Sequence, residues 1–149
     1  HCECLIERRR HGREVDVDGT FLVNSHGPDE LAYFMDNFHG TESFTNLASD
    51  KTFTNVFTQV SKDLKVTDDG DGTLTIVVMG AGMNKYFGPD GFLFHDSGLF
   101  RFEIVVDHGG TPNDPSDDEE LSSRVIKDLT GRNDTAERDF CDDIHEFIG

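Results

Sequence analysis

The chain has 149 residues, a net charge of −17, 35% hydrophobic residues and a mean hydropathy of −0.49. One domain spanning 1–149 with a strongly acidic surface accounts for these values, and such a surface repels nucleic-acid phosphates and anionic headgroups. No apolar run approaches the roughly 20 residues of a membrane-spanning helix, which leaves a basic protein surface, a cation or a small apolar ligand as the partner.

The chain opens at His1 rather than Met, which reads as a mature protein whose leader has been removed. Three cysteines lie at its extremes: Cys2 and Cys4 at the start, Cys141 near the end. That layout predicts a staple between the termini and a secreted, extracellular setting. Closing nearly the whole chain would contribute about 4–5 kcal/mol by loop entropy. Cys4–Cys141 is favoured over Cys2–Cys141 because Cys4 lies deeper in the chain; the third thiol is left over. A zinc site at His1, Cys2 and Cys4 is disfavoured, since structural sites space their thiolates more widely and pair them.

Glu7 to Arg13 is the one basic island, with four of the thirteen positive charges in Arg8, Arg9, Arg10 and Arg13. It reads as a solvated strand edge or turn against an acidic body. From Gly19 to Asp107 short apolar segments alternate with Gly, Asp, Asn and Pro clusters, the rhythm of antiparallel strands. Thr20–Asn24 is a strand, followed by the Ser25–Asp29 breaker. Leu31–Phe38 is apolar and Gly40 interrupts it. Lys51–Val60 is rich in Thr, Val and Phe and fits a strand, although Phe53 and Phe57 also stand at helical spacing. Asp68-Asp69-Gly70-Asp71-Gly72 is a hairpin turn between Leu64–Thr67 and Thr73–Met79. The outgoing strand is apolar on both faces and so is expected to be central and covered on both sides.

Met79-Gly80-Ala81-Gly82-Met83 reads as a small-residue turn or bulge. Gly88-Pro89-Asp90-Gly91 is a second hairpin turn, between Lys85–Phe87 and Phe92–His95. Leu99–Asp107 then alternates strictly: Phe100, Phe102, Ile104 and Val106 face one way, Arg101, Glu103 and Asp107 the other. Leu121–Leu129 is a strand or short helix. A terminal helix follows, expected to be capped by Asp134 with Glu137 completing a capping box. Its apolar face is Phe140, Ile144, Phe147 and Ile148, bordered by Cys141. Thirteen Phe with no Trp build the core largely from phenyl rings. The expected fold is mainly β, an antiparallel barrel or sandwich with a C-terminal α-helix.

The loop Asp107–Glu120 carries six carboxylates in fourteen residues. Asp107, His108, Asn113, Asp114, Asp117 and Asp118 are its candidate binding residues. Calcium takes six to eight oxygen ligands, and Asp114, Asp117 and Asp118 are the candidate ligands; a solvated acidic loop explains the same residues. No nucleophile elbow, phosphate-binding glycine loop or zinc-binding helix motif is present. The expected function is therefore a secreted, non-catalytic binding domain, a subunit or adaptor that recognises a protein partner. The alternatives are an apolar small molecule held in a Phe-lined barrel, or a small acid/base enzyme around Asp107 and His108.

The run Arg101–Glu119 and the terminal Asp139-Phe140-Cys141 helix ending in Ile148-Gly149 resemble small secreted actinobacterial proteins of unassigned function. The resemblance covers about the last third of the chain. It implies a leader-bearing, all-β domain with a cysteine near each end, and it carries no catalytic residues.

Overall fold

A computed structural model describes residues 10–149. It contains six strands, β1 (His11–His26), β2 (Leu31–Asn46), β3 (Thr52–Asp68), β4 (Thr73–Gly88), β5 (Gly91–Asp107) and β6 (Glu119–Thr130), and one helix, α1 (Phe140–Ile148). The strands form one antiparallel sheet in chain order, and β1 does not pair with β6. The mainly β fold with a C-terminal helix is as expected. Cys141 is not a free thiol. Cys2 and Cys4 lie outside the described residues, and with them the choice of its partner.

The tight turns carry the chemistry read for them. Gly70 and Gly72 hold φ of 79° and 92° in the β3–β4 hairpin, and Gly91 holds 116° at the first position of β5, values that an L side chain resists. The strands are far longer than the segments between glycines. β1 to β5 each run 16 or 17 residues, about 50 Å at 3.3 Å per residue. Gly40 does not end β2, and Met79–Met83 is strand interior, not a turn.

The reason lies on neighbouring strands. On the sheet's inner face Gly19 pairs with Phe38, Gly40 with Phe57 and Gly80 with Phe100. Each phenyl ring lies over the glycine opposite it. A Cβ on Gly40 would stand 3.1 Å from Phe57 Cζ, and one on Gly80 2.5 Å from Phe100 Cζ. The ring covers the bare backbone and supplies the contact that the glycine lacks, while the missing side chains let a long sheet bend.

Two apolar clusters occupy the two ends of this face. Val66, Leu74, Ile76, Val78 and Val106 form one, joined by Leu31 from the start of β2. The β2–β3 ladder stops at Met35 and Lys62. Beyond it, side chains replace the ladder: Val66 N–H donates to Tyr33 Oη at 3.0 Å, and Phe34 N–H donates to Asp63 Oδ2 at 3.0 Å. β4 is central and its inner face is buried from Leu74 to Gly80, but its outer face is only half-buried, so the two-sided cover expected of it is partial.

α1 closes the other end. Phe44, Phe53, Ile144 and Ile148 are buried together there, with Phe140 and Phe147 packed around them. Phe53 holds ring contacts to Phe140 at 6.0 Å and Phe147 at 6.2 Å between centroids. A helix of nine residues has little stability alone, so this face holds it. Asp139, not Asp134, is its N-cap, accepting from Cys141 N–H at 2.8 Å and Asp142 N–H at 3.1 Å. Asp134 instead accepts from His95 N–H at 2.9 Å and pairs with Arg132. At the far end Asn46 Nδ2 donates to the Ile148 carbonyl at 2.7 Å, tying the helix terminus to the β2–β3 turn.

Candidate functional site

His108 follows β5 directly and is 8% exposed. Its N–H donates to the Gly72 carbonyl at 3.1 Å, which pins the loop to the β3–β4 hairpin. Its Nδ1 accepts from Gly110 N–H at 3.1 Å. In the neutral ring that bond leaves the proton on Nε2. Backbone geometry and side-chain caps thus account for its burial.

Three of the loop's six carboxylates serve its turns. Asp107 Oδ1 accepts from Gly109 N–H at 2.8 Å. Asp114 Oδ1 accepts from the Ser116 N–H at 3.0 Å and hydroxyl at 2.7 Å, capping a short 3-10 turn over Pro115–Asp117. Those bonds hold the Asp114 carboxyl below the usual carboxylate range. Asp117 Oδ2 accepts from the Thr111 hydroxyl at 3.0 Å. Asn113 is exposed.

Asp118 differs: its Oδ1 is buried without a hydrogen-bond partner. Burial pushes its carboxyl up, His108 draws it down, and Asp114 and Asp117 push it up further. The fold therefore brings His108 within electrostatic reach of Asp118, and of Asp71 across the hairpin. It does not gather the other carboxylates at one point. Among the described residues no group of three or more His, Cys, Asp or Glu stands where it could hold one metal ion.

A cavity of about 370 Å³ opens on the inner face between the two clusters, lined among others by Gly82, Asn84, Asp96, Gly98, Phe100 and Leu129. Asp96 accepts from Thr135 N–H at 3.0 Å and from the Thr135 hydroxyl. Phe100 is the one phenyl ring of the cavity lining, beside Leu129. On this face Phe38, Phe57 and Phe100 lie over glycines, and Phe44 and Phe53 pack with α1.

The more distinctive surface lies at the sheet's edges. Among the described residues β1 has β2 as its one strand neighbour and β6 has β5. From Arg13 to His26 every residue of β1 is exposed, as is every residue of β6. On the inner face β1 presents Val15, Val17, Phe21 and Val23, with Phe21 59% exposed. On the outer face it presents Glu14, Asp16 and Asp18. The acidic side borders an outer groove of about 490 Å³ lined by Asp16, Asp18, His39, Thr41, Val56 and Thr58. Arg13 turns inward to Glu42, Nε to Oε1 2.6 Å, as a strand-edge residue against the acidic body.

β6 carries both signs of charge, Arg124 and Lys127 beside Glu119, Glu120 and Asp128. Val125, 62% exposed, is on its inner face opposite Phe102. Arg124 and Lys127 are on its outer face, opposite Glu103 and Arg101. Arg124 Nε meets Glu103 Oε1 at 3.0 Å. These edges were not singled out from the sequence, yet a signal exists: Glu14-Val15-Asp16-Val17-Asp18 alternates strictly between acidic and apolar. No family model, curated protein or solved structure matches this chain.

Proposed function

We propose that the chain is a secreted, non-catalytic binding domain that recognises a protein partner by strand addition at β1. The observation that carries this reading is an edge strand of sixteen residues, unpaired on one side among the described residues, with both faces exposed for nearly its whole length. An open edge of that length is a template for another strand unless something blocks it. Main-chain hydrogen bonds supply the affinity. The alternating side chains supply the choice of partner: apolar residues against Val15, Val17, Phe21 and Val23, basic residues against Glu14, Asp16 and Asp18.

The cysteine layout supports the secreted part of the reading, with Cys141 stapling α1 to the head of the chain through Cys4. Non-reducing peptide mass mapping checks that bond: a peptide linking Cys4 to Cys141 is expected, and a reduced Cys141 contradicts it. The binding test uses a synthetic peptide of alternating valine and lysine, followed by fluorescence anisotropy. Saturable binding is expected, lost on Val17→Lys. Absence of binding overturns the reading, as does equal binding by the variant.

A further inference from the structure

Side chains from neighbouring strands cover the glycines of the inner face. Phe38 lies over Gly19, Phe57 over Gly40, Phe100 over Gly80 and Leu129 over Gly98. Gly82 differs. A Cβ there would have the Thr58 carbonyl oxygen at 3.5 Å and, among the described residues, no side chain within 4 Å. Gly82 and Gly98 are cross-strand partners, so the sheet presents bare backbone at this point. The cavity of about 370 Å³ stands over it. Glycine inside a strand weakens the strand, and it marks places where a ligand approaches the backbone closely.

The walls divide into an apolar and a polar side. Phe100 stacks on Phe102, with centroids 5.7 Å apart and planes 19° from parallel. Phe102 and Gly98 stand on opposite sides of Phe100 along β5, so the ring's second face looks toward Gly98 and the cavity. Beyond the glycines, on the same face, stand the cross-strand partners Asn84 and Asp96. Both are held from behind. Asn84 Oδ1 accepts from Asn55 Nδ2 at 3.1 Å, which leaves Asn84 Nδ2 as a donor for the cavity. Asp96 accepts from the Thr135 N–H at 3.0 Å at one oxygen and from the Thr135 hydroxyl at the other. Each carboxylate oxygen keeps a second lone pair to offer.

We propose that this cavity binds a neutral sugar ring, with a C–H face against Phe100 and hydroxyls on Asn84 and Asp96. The site is separate from the β1 edge. An aromatic face carries negative charge density and attracts the weakly positive C–H groups of a pyranose. A hydroxyl both donates and accepts, so neighbouring hydroxyls satisfy the Asn84 donor and the Asp96 acceptor together. An anion would meet the Asp96 carboxylate in a chain of net charge −17. A wholly apolar ligand would leave both polar groups without partners. The volume lies at the low end of the about 300–1,000 Å³ of small-molecule sites, which suits a monosaccharide or the last ring of a glycan.

The test is NMR titration of the full chain, read at the amides of Gly82, Asn84, Asp96 and Gly98. The probes are glucose, galactose, mannose and N-acetylglucosamine, each as the free sugar and as the terminal ring of an oligosaccharide. Saturable shifts centred on these amides are expected with at least one sugar. Tighter binding of the oligosaccharide marks a glycan end as the source; equal binding marks the free sugar. Gly82→Val fills the floor, and Phe100→Leu keeps an apolar side chain but removes the ring. Each is expected to weaken binding about tenfold, with urea unfolding checking that each is folded. Should Gly82→Val lose its fold, Gly82→Ala carries the comparison. No saturable shift with any probe overturns the proposal, as do shifts centred elsewhere or wild-type binding by either folded variant. None of these results bears on strand addition, which the valine–lysine peptide tests.

Discussion

Phe100 lies over Gly80 so closely that a Cβ on the glycine would stand 2.5 Å from the ring's Cζ. The two residues are cross-strand partners at the middle of the inner face. That contact lets β4 run unbroken through a stretch of small residues. Gly80→Ala is expected to cost about 1–3 kcal/mol by forcing the ring aside. Gly82→Ala, whose Cβ would meet only the Thr58 carbonyl oxygen at 3.5 Å, should stay within about 0.5 kcal/mol of wild type. Urea unfolding measures both. A Gly80→Ala/Phe100→Leu double variant should be less destabilised than the sum of its parts, because the clash and the ring that causes it are removed together.

The docking of α1 gives a second expectation. Phe53 is 1% exposed and touches both Phe140 and Phe147. Phe53→Ala should cost about 3–5 kcal/mol, with loss of the helical signal before the sheet unfolds. Loss of sheet and helix signal in one step at an unchanged midpoint would contradict the packing described.

The helix start is separable from its surroundings. Asp139→Ala removes an acceptor for two N–H groups and should cost about 0.5–2 kcal/mol. Glu137→Ala should change stability by no more than about 0.5 kcal/mol. The reverse order, read by thermal or urea unfolding, would return the cap to Asp134 and its capping box.

Asp63 links stability to pH. Burial pushes its carboxyl above the ordinary value, the Phe34 N–H bond draws it down, and nearby Asp36 pushes it up. The raised value means that the folded chain binds this proton more tightly than the unfolded chain. Its stabilising contribution is complete below the ordinary carboxylate range and is lost as pH rises through the folded value. Asp63→Asn keeps an acceptor for Phe34 and removes the charge. It should therefore raise the melting temperature at neutral pH relative to wild type and narrow the difference in acid. A variant less stable than wild type at neutral pH would contradict this.

What was legible in the sequence was local chemistry. The Asp68–Gly72 and Gly88–Gly91 turns need positive-φ residues, and those residues stand there. The Phe100–Val106 alternation and the Phe140/Ile144/Phe147/Ile148 face follow from strand and helix periods. What was not legible depends on partners distant in the chain. Gly40 and Gly80 look like breaks until Phe57 and Phe100 are seen across the ladder. The Asp107–Glu120 loop looks like a ligand cluster until Asp107, Asp114 and Asp117 are seen holding their own turns. The exposure of β1 follows from strand order, which no local pattern states, although its acidic–apolar alternation is written in the residues.

The most direct measurement of the central claim is amide hydrogen exchange of the full chain, read residue by residue along β1. Outward-facing amides between Glu14 and Val23 are expected to gain protection when the valine–lysine peptide is added. β3 and β4, paired on both sides, should change little. Exchange in β1 that is indifferent to the peptide would contradict strand addition at this edge.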